Sequence, residues 1–446
     1  MTSELKSIFK AYDVRGVYPG ELNEDVARRV GAAFARFVES DRVVVGRDMR
    51  TSSPALANAF AEGVTAEGGS VVDVGAVSTD ALYFASGKLD LPGVMFTASH
   101  NPARYNGMKM CKAKAVPIGS DSGMDEIRAT AETLDPPKGT PRVEEADILS
   151  DYAEHCRSFV DARTLRPLKV AIDAGNGMAG KTVPIVFDQL PFEVSPLYFD
   201  LDGSFPNHPA NPIEEANLAD LQKLVLEQGC DVGIAFDGDA DRMFLVDERA
   251  ELVSGSLTTA MVAQALLKKY PGEKVIYNLI CSWTVPEVIE ENGGTPIRTR
   301  VGHSFIKRVM AETGAIFGGE HSGHYYFRDN FRADSGMIAA LLVLEAISVS
   351  DAMLSEILEP FRRYSASGEI NTEVTDQDGT IKRLAGNYSD GNQDWTDGLT
   401  VEYEDWWFNC RASNTEPLLR LNLEARTKEL METKRDEVLR VIRGES

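Results

Sequence analysis

The sequence predicts an α/β protein: three similar α/β domains, each a mixed sheet flanked by helices, and a smaller C-terminal α+β domain, all set around a central cleft. Three observations carry this. The chain has 446 residues, and at roughly 100–200 residues per domain that is about two to four domains with separate cores. A β-α-β-β-like pattern recurs three times. The third strand of each unit runs into a loop dense in polar, titratable and glycine residues.

The units open with Val43-Val44-Val45, Lys169-Val170-Ala171-Ile172 and Lys274-Val275-Ile276-Tyr277. A helical stretch follows each, such as Pro54 to Glu67 with apolar Leu56, Phe60 and Val64. Second strands read at Ser70 to Val74, Phe192 to Val194 and Pro296 to Arg298, and third strands at Gly93 to Phe96, Val232 to Phe236 and Ala315 to Phe317. The units share a pattern and almost no sequence. After Pro360 the chain alternates through Leu399 to Tyr403, Trp406 to Phe408 and Leu418 to Leu421, then closes with a charged amphipathic helix from Thr427 to about Arg443. Linkers are expected at Asp135 to Gly139, near Val246 to Ala250 and near Pro360. The expected domains are therefore 1–140, 141–248, 249–360 and 361–446.

A net charge of −23, with 43% hydrophobic and 26% charged residues, excludes collagen-like, disordered and coiled-coil chains. It also argues against nucleic acid or an anionic membrane as a partner. Cys111, Cys156, Cys230, Cys281 and Cys410 are odd in number and show no C-x-x-C spacing. A disulfide framework or zinc site is not expected, and a reducing compartment fits. Met1 to Ser7 has no apolar run behind its basic residue, so no signal peptide is expected. The longest apolar stretch, Met337 to Ser350, carries Glu345 and is too short to span a bilayer. The expected location is cytoplasmic; the oligomeric state is not legible.

Each loop then suggests chemistry. Asp237, Asp239 and Asp241 alternate along one loop, and clustered carboxylates repel unless a hard divalent cation neutralises them. An EF-hand would place glycine where Arg242 stands and would be flanked by helices, whereas the flanks here read as strands. Ser99, in Thr97-Ala98-Ser99-His100-Asn101-Pro102, is a nucleophile only if a base or metal activates it; alone it also reads as a turn former. Asn106-Gly107 reads as a turn bringing Lys109 back to that loop. In Gly319-Glu320-His321-Ser322-Gly323-His324, an extended backbone would put Glu320, Ser322 and His324 on one side, suited to sugar hydroxyls. The loop from Arg411 to Pro417, with Arg420 beyond, offers the fork and hydroxyls that suit phosphate oxygens, or simply a polar hairpin.

These four loops, in this order, resemble the α-D-phosphohexomutase family, specifically its phosphomannomutase/phosphoglucomutase branch. The resemblance spans the chain from Phe9-Lys10-Ala11-Tyr12-Asp13-Val14-Arg15-Gly16 to the tail; T-A-S-H-N-P with D-G-D-x-D-R is highly specific. It implies four domains around a cleft, with Ser99 as the phosphoserine that gives and takes the phosphoryl group. Asp237, Asp239 and Asp241 are then Mg²⁺ ligands, with Ser99 completing the site. Arg15, His100, Lys109 and Arg242 would surround the phosphoserine. Tyr12, Gly302, His303, Glu320 and Ser322 would face the sugar, with His324 closing that loop. Arg411, Ser413, Asn414, Thr415 and Arg420 would hold the non-reacting phosphate. Lys109 and His324 are the candidates for general acid/base work.

The expected activity is therefore that of an Mg²⁺-dependent phosphomannomutase, an isomerase interconverting mannose 6-phosphate and mannose 1-phosphate through a phosphoserine and a hexose 1,6-bisphosphate, which would also act as activator. Glucose phosphates are further expected substrates. The alternatives are a phosphoglucomutase, a phosphoglucosamine mutase and, more remotely, a serine phosphohydrolase. Three departures bear on the choice. Ile280 stands where some two-substrate members carry lysine, Glu320-His321-Ser322 differs from the E-Q-S of phosphoglucosamine mutases, and Asn414 stands where those enzymes show glycine.

Overall fold

The structure is a computed structural model describing residues 4–137, 139–413 and 418–445. Its three α/β domains repeat one topology. In the first, Arg42–Arg47 lies between Ser70–Ala76 and Gly93–Phe96, parallel to both, and Tyr105–Lys112 returns antiparallel beside the third strand. In the second, Lys169–Asp173 pairs in parallel with Glu193–Leu197 and Val232–Phe236, and Met243–Asp247 returns antiparallel. In the third, Lys274–Asn278 pairs in parallel with Thr295–Thr299 and Phe317–Gly319, and Tyr325–Phe327 returns antiparallel. The mixed sheets expected from the sequence thus share the strand order 2-1-3-4. Every polar loop singled out in these domains joins the third strand to the antiparallel fourth.

Two boundaries move outward. Val143–Glu145 joins the first sheet beside Ser70–Ala76, beyond residue 140. The segment read as a linker near Val246 to Ala250 is a hairpin turn, because Leu252–Val253 pairs back on Leu245 and Val246. Strands of two or three residues are too short to show a period.

One continuous buried cluster joins the three domains, running from Val44 and Leu82 through Val170 and Ile172 to Val275 and Leu342. The helix Gly336–Ser348 is buried on nearly every face, which explains the longest apolar stretch in the sequence. Its Glu345 is buried too, accepting from the backbone N–H of Asp161 at 2.8 Å and pairing with Lys269. Among the described residues no helix is long and apolar enough to cross a membrane.

The fourth domain is a five-stranded antiparallel sheet, Ser365–Glu373, Leu418–Ala425, Trp406–Ala412, Leu399–Glu402 and Asn392–Asp394 in spatial order. The helices Gln377–Asn387 and Lys428–Arg443 accompany it, and it has its own core around Phe408, Leu421 and Val438. It leans on the third domain through polar contacts: Glu424 accepts from the Trp283 backbone N–H at 2.9 Å, and Asp397 from that of Val301 at 3.0 Å.

Candidate functional site

Ser99 sits just past the third strand of the first domain with φ +50°, a left-handed conformation that costs a non-glycine residue about 1–3 kcal/mol. The loop is held in it from below. The guanidinium of Arg50, which follows the first strand, is fully buried and donates through Nη2 to the carbonyl oxygens of Ser99 (2.9 Å) and Asn101 (2.6 Å). Its Nη1 donates to Pro102 O (2.9 Å) and Tyr105 O (3.0 Å), and its Nε to Asp48 (3.1 Å). All five donors are used on one loop and one counter-charge. From the second domain, Gly238 packs so closely that a Cβ there would lie 2.6 Å from Ser99 O.

The serine hydroxyl, 1% exposed, donates to Asp237 Oδ2 at 2.7 Å. His100 Nδ1 lies 3.2 Å from Ser99 Oγ. Burial, then Arg242 and Arg15, hold the His100 pKa well below the ordinary histidine value, so the ring is neutral. Arg15 donates to Asn101 Oδ1, which ties it to the same loop.

Asp237, Asp239 and Asp241 are buried together, with one oxygen of each within 4.8 Å of the others. Burial and the two neighbouring carboxylates push the pKa of Asp237 well above the usual range, and burial with Asp239 pushes Asp241 up to about 6. Lys109 reaches across from the first domain to Asp239 (2.7 Å) and Asp241 (2.5 Å). Burial opposes its charge, but these carboxylates outweigh it and raise the Lys109 pKa well above the ordinary value. Asp239 Oδ1 and Asp241 Oδ1 are left buried with no hydrogen-bond partner among the described residues, His324 Nε2 standing 3.8 Å from the latter. Two bare carboxylate oxygens, a third carboxylate and the serine oxygen form an all-oxygen donor set, which fits a hard divalent cation.

Arg242 and His324 are bridged in the backbone ladder, and Arg242 Nε donates to His324 Nε2 at 3.1 Å. A guanidinium has no acceptor, so the imidazole proton belongs on Nδ1, 3.0 Å from Ser322 Oγ. Burial and Arg242 lower the His324 pKa well below the ordinary value, so this ring is neutral as well. Glu320 is buried and accepts from Tyr326 OH (2.6 Å), Gly302 N (3.1 Å) and Asn278 Nδ2 (3.2 Å). Gly302 has φ +127°, and a Cβ there would meet the Tyr12 hydroxyl at 2.7 Å. Tyr12 packs its edge on His303 with ring centroids 5.1 Å apart. Burial, then Lys307, lower the His303 pKa to about 3.

In the fourth domain, Arg411 and Arg420 share Glu369, at 2.9 and 3.1 Å. Both Nε atoms are buried and have no hydrogen-bond partner among the described residues, and Ser413, two residues beyond Arg411, is buried as well. Asn414 and Thr415 lie outside the described residues.

Two local expectations are corrected. Asn106 and Gly107 are not a turn but the start of the strand Tyr105–Lys112, paired with Gly16 and Arg15. The glycine is there because a Cβ would strike Val14 O at 2.3 Å; Lys109, further along that strand, reaches Asp239 and Asp241 of the second domain. Glu320 to His324 is a tight turn rather than an extended segment, closed by Glu320 N to His324 O at 3.0 Å, with Gly323 at φ +82°. The turn, not alternation, brings Glu320, Ser322 and His324 together. The sequence reading missed Arg50, Thr79, Asn278, Tyr326 and Glu369. Only Arg50 carried a usable signal, a charged run at the carboxyl end of a first strand.

Family models described as phosphoglucomutase/phosphomannomutase match in chain order: alpha/beta/alpha domain I over residues 6–138, domain II over 150–251, domain III over 254–364 and the C-terminal domain over 369–441. A Xanthomonas campestris pv. campestris (strain B100) protein named "Phosphohexose mutases" is 43% identical over 443 residues, 98% of this chain and 99% of the relative. A phosphomannomutase of Escherichia coli (strain K12) is 40% identical over 431 residues, 94% of each chain. The crystal structure of a phosphoglucomutase/phosphomannomutase family protein from Burkholderia thailandensis superposes with a TM-score of 0.89 at 33% identity, covering 99% of this chain and 98% of that one. With four domain matches in order, full-length relatives and one shared architecture, the chain belongs to the phosphoglucomutase/phosphomannomutase family of phosphohexomutases.

Proposed function

We propose that this enzyme is a phosphomannomutase, interconverting mannose 6-phosphate and mannose 1-phosphate and also accepting glucose phosphates. The sugar assignment rests on relatives near 40% identity, over nearly their whole length, that bear the name phosphomannomutase. The observation that carries the chemistry is the Ser99 hydroxyl 2.7 Å from Asp237, among two further buried carboxylates with bare oxygens.

In this reading Ser99 carries the phosphoryl group. The bond from phosphorus to Ser99 Oγ breaks as the free hydroxyl of the sugar bonds to phosphorus, which forms a hexose 1,6-bisphosphate. The intermediate turns over and its other phosphate is returned to Oγ; free bisphosphate therefore serves as activator. Asp237, Asp239 and Asp241, with a phosphoserine oxygen, would hold Mg²⁺, which supplies charge neutralisation for the transferring group. Lys109, held cationic by Asp239 and Asp241, adds positive charge rather than accepting a proton. The sugar hydroxyl proton would pass to Nε2 of neutral His324, the ring's one lone pair, once Arg242 Nε releases it. Arg15, His100 and Arg242 surround the phosphoryl group. Tyr12, Gly302, His303, Glu320 and Ser322 face the sugar. Arg411, Arg420, Ser413, Asn414 and Thr415 take the distant phosphate, for which the two guanidinium groups provide charged donors. Five buried, unpaired cysteines accord with a cytoplasmic location.

Side-by-side turnover of mannose 1-phosphate, glucose 1-phosphate and glucosamine 1-phosphate tests the sugar assignment; glucosamine 1-phosphate as the best substrate would overturn it. Ser99→Ala should abolish mutase turnover with the fold intact, and intact-mass measurement should show a phosphate adduct only in the wild type. Retention of more than a few per cent of the turnover would rule out a serine carrier.

A further inference from the structure

The cation site proposed above draws all its carboxylates from the second domain, yet one of them is aimed by the first. Thr79 is the first residue of the helix Thr79–Leu89 and is fully buried. Its hydroxyl donates to Asp239 Oδ2 at 2.6 Å and its backbone N–H to Asp239 O at 3.0 Å. Lys109 donates to the same Oδ2 at 2.7 Å. Both lone-pair directions of Oδ2 are therefore taken, and Oδ1 is left buried with no hydrogen-bond partner among the described residues.

That asymmetry leaves Oδ1 as the oxygen with unused lone pairs. A carboxylate free to rotate would offer either oxygen and lose rotamer freedom on ligation; this one is held before any ion arrives. The helix start is itself anchored, because Asp80 accepts from Ser78, from Tyr152 OH at 2.7 Å and from Ser335 Oγ at 2.6 Å.

Resting on the metal site of the proposed function, we infer that Thr79 is a positioning residue for divalent-cation binding, presenting Asp239 Oδ1 to the ion across the interface between the first two domains. Removing a hydrogen-bond partner of a metal ligand typically weakens metal affinity about 10- to 100-fold. The hydroxyl, not the methyl group or the backbone, carries the effect, so serine should substitute for threonine.

The test is cation binding to metal-stripped protein, by calorimetry with Mg²⁺ and by electron paramagnetic resonance with Mn²⁺. Thr79→Ser should bind like the wild type. Thr79→Val, which keeps the size and the backbone contact, should bind roughly 10- to 100-fold more weakly, with an unfolding midpoint in EDTA close to that of the wild type. Should the valine variant fold poorly, Thr79→Ala supplies the same deletion with less bulk. Wild-type affinity in a folded valine or alanine variant overturns the inference and leaves the metal site standing. Wild-type protein that binds no cation, or Asp239→Asn that binds as the wild type does, removes the metal site itself and the inference with it.

Discussion

Arg50 Nη2 donates to the carbonyl oxygen of Ser99 at 2.9 Å, from a guanidinium that is wholly buried and has no other solvent-facing use. The fork also grips three further carbonyls of the same loop, so a left-handed serine is held by a charge-assisted clamp rather than by its own preference. Arg50→Met should leave Asp48, 2% exposed, as an uncompensated buried charge and cost about 3–5 kcal/mol of stability in urea unfolding. Adding Asp48→Asn should recover much of that stability without recovering turnover, because the loop is still unclamped. Full turnover in the double variant would reduce Arg50 to a structural ion pair.

Metal removal should stop turnover. Mg²⁺ should restore it better than Ca²⁺, because the smaller ion demands tighter octahedral geometry than the larger one. Steady-state assays after exhaustive EDTA treatment check this, and activity that survives would contradict the role given to Asp237, Asp239 and Asp241.

Arg411→Ala should weaken the hold on the non-reacting phosphate. A charge-assisted contact of about 1.5–3 kcal/mol corresponds to roughly a 10- to 150-fold rise in KM for hexose phosphates. Arg420 and Glu369 remain paired in this variant, so the fold should be unchanged. KM equal to that of the wild type would place the phosphate elsewhere.

Asp80 links the first domain to Tyr152 and to Ser335, and burial raises its pKa from 3.8 to about 6. Between those values the folded protein keeps a proton that the unfolded chain has released. The stabilisation is full below about pH 4 and is lost as pH rises through 6, on the order of 3 kcal/mol. Asp80→Asn should remove this component, so the stability of the variant relative to the wild type should rise between pH 4.5 and 7 in urea titrations. A difference that stays flat with pH would mean that Asp80 is ionised throughout.

The sequence alone determined the repeat, the loop order and the residue types with chemistry. β-branched runs and turn residues report local backbone preference, and that preference is the same wherever the segment ends up. Ser99, the three aspartates and the Glu320 to His324 loop were legible because each is a dense local cluster. Residues that act at a distance were not. Arg50 lies 49 positions before Ser99, Thr79 lies 160 before Asp239, and Glu369 lies 42 before Arg411. Their side chains meet only because strand order 2-1-3-4 brings carboxyl-end loops of separate segments to one place and the shared core docks one domain on the next. The tertiary structure also decided what each group is. Lys109 is a locked cation because Asp239 and Asp241 outweigh its burial, and His324 is a neutral ring because of burial and Arg242; these are properties of the assembled cleft and of no stretch of chain.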